Sequence, residues 1–181
     1  MFNTTLTMNV RKAQRKFWTL HDESPDDNPL LPGLQHKFIT LSTGLRIHYV
    51  ESMSNNVATK TLIIMIHGFP DSWCIFQPLI LEDLEADIIA IDLPGFGGSD
   101  DLQDYSADAM LNAITETIHL LKQKQCYLTG EDTKCIIMGH DWGGVIAYRL
   151  AAETTGLFDR ACLINTAYVC LLLSLMKCGG R

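Results

Sequence analysis

The run Ile136-Ile137-Met138-Gly139-His140-Asp141-Trp142-Gly143-Gly144 places a carboxylate where chemistry is easiest to perform. An apolar strand from Cys135 to Met138 leads into a Gly-x-Asp-x-Gly turn, and a small-residue helix from Val145 to Thr154 follows. This strand–turn–helix layout is a nucleophile elbow, which holds one side chain clear at the end of a sheet. Serine is the usual occupant and needs a base before it can attack an acyl carbon. Aspartate side chains are already ionised at neutral pH. The start of a helix at Trp142 adds its positive end and favours the anion further. A carboxylate is a poor reagent for ordinary esters, because the product would be an anhydride that reverts. It can displace a leaving group from saturated carbon and remain as an alkyl ester, so epoxides and carbon–halogen bonds are its natural targets.

Two loops upstream end in the same region of such a fold. His67-Gly68-Phe69-Pro70-Asp71-Ser72-Trp73 follows the apolar run Thr61 to Ile66. Gly68 allows a sharp turn, and Phe69-Pro70 is an X-Pro bond where a cis peptide can occur. In the functional reading, the Phe69 and Trp142 N–H groups converge as an oxyanion hole for the ester carbonyl of alkylated Asp141. The second loop, Asp92 to Asp100, contains Gly95-x-Gly97. It fails as a dinucleotide fingerprint, since Asp100 stands where the third glycine belongs, and it lacks the Gly-Lys-Ser/Thr of a phosphate loop. It reads as scaffold shaping a pocket wall.

The elements that must position these loops can be read from hydrophobic pattern. A leader marked as irregular by Pro25, Pro29, Pro32 and Gly33 runs to about Leu34. Strands over His36–Leu41 and Arg46–Glu51 flank a Ser-Thr-Gly-Leu turn and predict an antiparallel hairpin. Thr61–Ile66, Ile88–Ile91, Cys135–Met138 and Arg160–Asn165 read as further strands. Phe76–Glu85 predicts a short helix, and Ser106–Lys124 a longer one with apolar residues at helical spacing. Strands alternating with helices predict an α/β fold with a mainly parallel sheet, whose ligands gather beyond the carboxyl ends of the strands. The three loops all lie there.

Taken together, His67-Gly68-Phe69-Pro70, Gly95-x-Gly97-x-Ser99 and Gly139-His140-Asp141-Trp142-Gly143-Gly144 resemble the N-terminal part of epoxide hydrolases of the α/β-hydrolase fold. The resemblance covers roughly residues 36–168. It implies Asp141 as the nucleophile that opens the oxirane, with Trp142 lining the pocket and donating its backbone N–H. Phe69 would supply the other oxyanion donor, and Trp73 would pack against the site as a substrate-binding residue. His67 and His140 would be structural parts of their loops. The related haloalkane dehalogenases also place Asp-Trp at the elbow but tend to carry Asn where Phe69 stands here. The implied partner is therefore a small hydrophobic epoxide or related electrophile.

The same resemblance implies parts that these 181 residues do not carry. A helical cap with two tyrosines, further strands, an acid and a catalytic histidine follow the nucleophile in the family. The histidines here are His21, His36, His48, His67, His119 and His140, none beyond the nucleophile. Glu153 and Asp159 are the only acids downstream. Hence the expectation is a truncated α/β-hydrolase fold, with cap and C-terminal strands missing and little or no turnover. Residues 1–35 would form a poorly ordered arm, 36–168 the hydrolase portion, and 169–181 an atypical apolar tail. An inactive form acting by association with a full-length homologue is the alternative.

Bulk composition excludes other classes. A net charge of −7 with no basic patch argues against nucleic acid. Residues 1–20 hold Arg11, Lys12, Arg15 and Lys16 with no acid, a weak hint of mitochondrial targeting; no apolar leader suggests secretion. Cys74, Cys126, Cys135, Cys162, Cys170 and Cys178 show no metal or Cys-x-x-Cys spacing, so neither a metal nor another cofactor is expected. That pattern suits a reducing, cytoplasmic setting. The apolar run from Cys162 to Met176 is shorter than the ~20 residues that span a bilayer.

Overall fold

The computed structural model describes residues 34–52, 60–82, 84–129 and 133–166, with the main chain alone at 126–129. The arm up to residue 33 and the tail 169–181 lie outside the described residues. Six strands form one sheet: β1 (Gln35–Thr40), β2 (Arg46–Ser52), β3 (Thr61–Ile66), β4 (Asp87–Ile91), β5 (Lys134–His140) and β6 (Arg160–Ile164). Their spatial order is β1-β2-β4-β3-β5-β6. The β1–β2 hairpin is antiparallel, and β2 also meets β4 antiparallel. The β4–β3, β3–β5 and β5–β6 pairs are parallel. Its turn closes through Leu41 N–H to Leu45 O, with Gly44 at φ 85°.

Alternation along the buried strands divides the core. Leu62, Ile64, Ile66, Ile89 and Ile91 face one side, beneath α2 (Ala107–Thr129) and α3 (Trp142–Glu153). Ile114, Ile118 and Leu121 of α2 and Ala147 and Leu150 of α3 complete that layer. Met65, Ile88 and Ala90 point the other way, onto Val50, Trp73, Phe76 and Ile80. Strands apolar on both faces are what a parallel sheet covered by helices requires. At the far edge, all five residues of β6 are exposed.

The expected helix over Phe76–Glu85 is replaced by a 3₁₀ turn at Trp73–Phe76 and a single α-turn, α1 (Gln77–Ile80). Pro78 is accepted in the first turn, where its missing N–H costs nothing, and the helix stops after one turn at Leu81. The long helix starts at Ala107, with the Ser106 hydroxyl capping it by accepting from Ala109 N–H at 3.3 Å, and runs beyond Lys124 to Thr129. The helix after the turn begins at Trp142, the start that the elbow reading gives it. Packing there is close: a Cβ at Gly143 would lie 2.1 Å from Ile66 O. Gly143→Ala is therefore expected to destabilise the protein by at least the ~1–3 kcal/mol of an overpacked core site, read as a lower denaturation midpoint.

Candidate active site

Because β3 lies between β4 and β5, three loops leave adjacent strands at one level. Ile66 is in register with both Ile91 and Gly139, so His67, Asp92 and His140 follow side by side. One residue later comes Asp141, at φ 53° and ψ −120°. A non-glycine residue there stores on the order of 1–3 kcal/mol of strain and needs surroundings that hold it. They do. The Asp141 N–H donates to Ile164 O at 3.1 Å, and its carbonyl accepts from Gly144 N–H at 3.0 Å. Strand β6 and helix α3 thus clamp the turn from both sides.

The Asp141 carboxylate is partly exposed, and Phe69 N–H donates to its Oδ2 at 3.3 Å. No ion pair reaches it among the described residues. Gly68 leaves the room this approach requires: a Cβ there would sit 2.6 Å from both Cβ and Oδ2 of Asp141. The Phe69–Pro70 peptide is cis. Phe69 meets the carboxylate through its N–H and Trp142 follows Asp141 in the chain; the two residues are exposed, at 38% and 51%. Trp142 is the first residue of α3, where main-chain N–H groups lack intrahelical acceptors and point outward.

Trp73 is placed differently. Its ring is buried in the apolar layer with Val50, Met65 and Phe76, edge-on to His36 at 5.2 Å. Its contribution at the loop is its N–H, which donates to Asp92 Oδ1 at 2.7 Å. Asp92 is the residue that the sequence reading does not single out. It is wholly buried and also accepts from His48 Nδ1 at 2.7 Å and Gly98 N–H at 2.9 Å. Burial alone would raise its pKa, but the His48 bond and charge, with His67 and the Trp73 N–H, hold it below the ordinary value. A charged residue directly after the apolar run Ile88–Ile91 was the available signal. One carboxylate therefore ties β2, the His67–Trp73 loop and the glycine loop together.

His67 is fully buried at the root of its loop. Nδ1 lies 2.7 Å from Gly68 O, and Nε2 accepts from Leu93 N–H at 2.9 Å. Burial lowers its pKa below 6.5, against the opposing pull of Asp92. The folded state then binds fewer protons than the unfolded state, so stability from a neutral His67 is present above pH 6.5 and is lost as pH falls from there toward the folded value. Acidification from pH 7 toward 5 is expected to lower the urea midpoint, and His67→Asn should flatten that dependence.

The downstream acids Glu153 and Asp159 are bonded elsewhere than at Asp141. Asp159 Oδ2 accepts from Cys135 N–H at 2.7 Å, at the opposite end of β5, and Glu153 pairs with Arg149 at 2.8 Å. A cavity of about 580 Å³ also opens at that opposite end, lined by Leu62, His119, Lys122, Cys135 and Leu157. Asp141 does not line it. No cluster of three or more potential metal ligands occurs among the described residues. Nor is any described helix long and apolar enough to cross a membrane.

Comparison with known proteins agrees with this geometry. Residues 63–177 match the Alpha/beta hydrolase family. Epoxide hydrolase 3 of Xenopus tropicalis is 30% identical over 74% of this chain and 35% of its own length. Human Epoxide hydrolase 4 is 33% identical over 68% of this chain and 32% of its own length. The crystal structure of the Cif epoxide hydrolase from Acinetobacter nosocomialis superposes with a TM-score of 0.59 at 28% identity, covering 86% of this chain and 44% of that one. The chain thus spans about a third of the length of the curated relatives it matches. With its sheet order, its strained aspartate and the matched span in agreement, the chain belongs to the α/β-hydrolase family, in the branch that resembles epoxide hydrolases.

Proposed function

We propose that Asp141 opens a small hydrophobic epoxide by nucleophilic attack. One carboxylate oxygen bonds to a ring carbon, the carbon–oxygen bond of the ring breaks, and the released alkoxide takes a proton from solvent. The product is a hydroxyalkyl ester on residue 141. The observation that carries this reading is the outward carboxylate at a strained elbow, with the Phe69 N–H already on Oδ2. Phe69 and Trp142 N–H groups would hold the carbonyl oxygen of the ester, and their rings would offer apolar contact to the substrate. Trp73 would support that wall from beneath, through the Asp92 bond. The hydrolase portion is taken as residues 36–168, in a reducing, cytoplasmic setting.

Release of the diol requires water to attack the ester, with a base to take its proton. The 181-residue polypeptide has no histidine beyond residue 140, and Glu153 and Asp159 are engaged elsewhere. Turnover by this polypeptide is therefore expected to stall at the ester. Intact-mass measurement after incubation with a terminal aryl epoxide should show a single addition of the epoxide mass, mapped to the peptide containing Asp141, without catalytic diol formation. An unmodified protein would defeat the nucleophile assignment, and multiple turnovers would defeat the stall. Halide release from a bromoalkane without any epoxide adduct would instead favour haloalkane chemistry.

A second reading, association with a full-length homologue, is favoured by β6. Its five residues are exposed, Leu163 and Ile164 among them, and open apolar edges invite pairing. Co-elution with a longer homologue, lost on Leu163→Lys, would support it.

A further inference from the structure

We propose that His67 is a positioning residue for the oxyanion donor, gripping the Gly68–Phe69 peptide by its carbonyl so that the Phe69 N–H is aimed at the Asp141 carboxylate. The inference rests on Asp141 being the nucleophile, and it assigns a role to a histidine that touches neither substrate nor nucleophile.

The argument starts from which groups can donate. The Leu93 main-chain N–H can only donate, so the Nε2 it meets at 2.9 Å is a bare acceptor. The ring proton of neutral His67 is then on Nδ1, facing the Gly68 carbonyl at 2.7 Å. That fixes one tautomer without reference to any ligand. The Gly68–Phe69 peptide is trans, so its C=O and N–H point in opposite directions. His67 occupies the carbonyl end, and Asp141 Oδ2 stands 3.3 Å from the nitrogen at the other. The Asp71 N–H also donates to Gly68 O, at 3.2 Å, closing the turn. Donation to a carbonyl polarises its peptide and strengthens the N–H as a donor. Because His67 is anchored through Leu93 to the neighbouring loop, the orientation is set by two strands rather than by the turn alone.

The consequence falls on the second chemical step. Alkylation at the outer oxygen leaves Oδ2 as the ester carbonyl, already within reach of the Phe69 N–H. A nucleophile adding to that carbonyl places negative charge on Oδ2, where the donor must be correctly aimed. Asparagine at position 67 can carry an N–H close to where Nδ1 lies; glutamine reaches toward the Nε2 position and leaves Gly68 O without its side-chain donor.

The test uses the full 181-residue polypeptide and hydroxylamine in place of activated water. The alkyl ester is formed with a terminal aryl epoxide, excess epoxide is removed, and adduct loss is followed by intact mass. Hydroxylamine nitrogen bonds to the ester carbon, the carbon–oxygen bond breaks, and the diol leaves with the displaced proton. His67→Gln should slow this cleavage about tenfold and His67→Asn should stay within about threefold of wild type, part of the ~10²–10³-fold that loss of a whole oxyanion donor costs. Ester formation itself should change little in either variant. Equal cleavage in all three proteins, or equal slowing in both variants, would overturn the positioning role while leaving the nucleophile assignment intact. Absence of any wild-type adduct would overturn both. Ring ¹⁵N shifts of wild-type His67 provide a check that needs no variant to fold: a bare Nε2 and protonated Nδ1 support the proposal, and the opposite tautomer ends it.

Discussion

Replacing Asp141 with asparagine should abolish covalent labelling by an epoxide while leaving the fold in place. Asparagine has nearly the same shape and is among the few residues that tolerate positive φ, so the elbow at φ 53° can be retained. The clamp from Ile164 O and Gly144 N–H acts on main-chain atoms and is indifferent to the side chain. What disappears is the anion. A neutral amide is a far weaker nucleophile, and labelling of the Asp141 peptide should fall by at least about a thousandfold, within the range lost when catalytic nucleophiles are removed. Unchanged circular dichroism would show that the loss is chemical. If the asparagine variant were labelled on the same peptide at the wild-type rate, Asp141 would have no place in the mechanism.

Asp92→Ala should produce the largest loss of stability, and it should do so at neutral pH. The wild-type carboxylate satisfies His48 Nδ1, Trp73 N–H and Gly98 N–H in a site closed to water. Alanine removes the acceptor and leaves three buried donors, one of them on the His48 ring. Each buried donor left without its acceptor costs about 1–3 kcal/mol. The sign of the pH dependence follows from the direction of the shift. The folded pKa of Asp92 is depressed below 3.8, so its stabilisation is fully present above that value and fades as pH falls through the folded one. Urea midpoints of wild type and variant should therefore differ most near neutrality and draw together in acid. A constant difference down to strongly acidic pH would mean that the ionised form of Asp92 contributes nothing. Since the same carboxylate holds the Trp73 end of the His67–Trp73 loop, Asp92→Asn should also slow hydroxylamine cleavage of the Asp141 ester.

The strands and the elbow turn were legible from local pattern. Thr61–Ile66 is a strand end to end as read, since five successive apolar residues after Thr61 fill both faces of a covered sheet. Gly139-x-Asp141-x-Gly143 announced an elbow because the close contact of α3 with β3 admits no side chain at Gly143. The one-turn helix at Gln77–Ile80 was not legible in its length: a proline in the first turn permits a start but says nothing about where packing against Val50 and Met65 ends.

Local sequence also placed Phe69 and Trp142 beside turns, and the structure brings the Phe69 N–H to the Asp141 carboxylate. It did not reveal Asp92 or His48, and it gave His67 no more than a place in its loop. Residues 48, 67, 92 and 141 are far apart along the chain, and a hydrogen bond between them leaves no trace in composition or period. Only the order β2-β4-β3-β5, with Ile66 level with Ile91 and Gly139, brings those positions to one end of the sheet. Side-chain type, then, singled out the carboxylate at the elbow; strand pairing decided which residues stand around it, because those distances are set across the sheet and not along the chain.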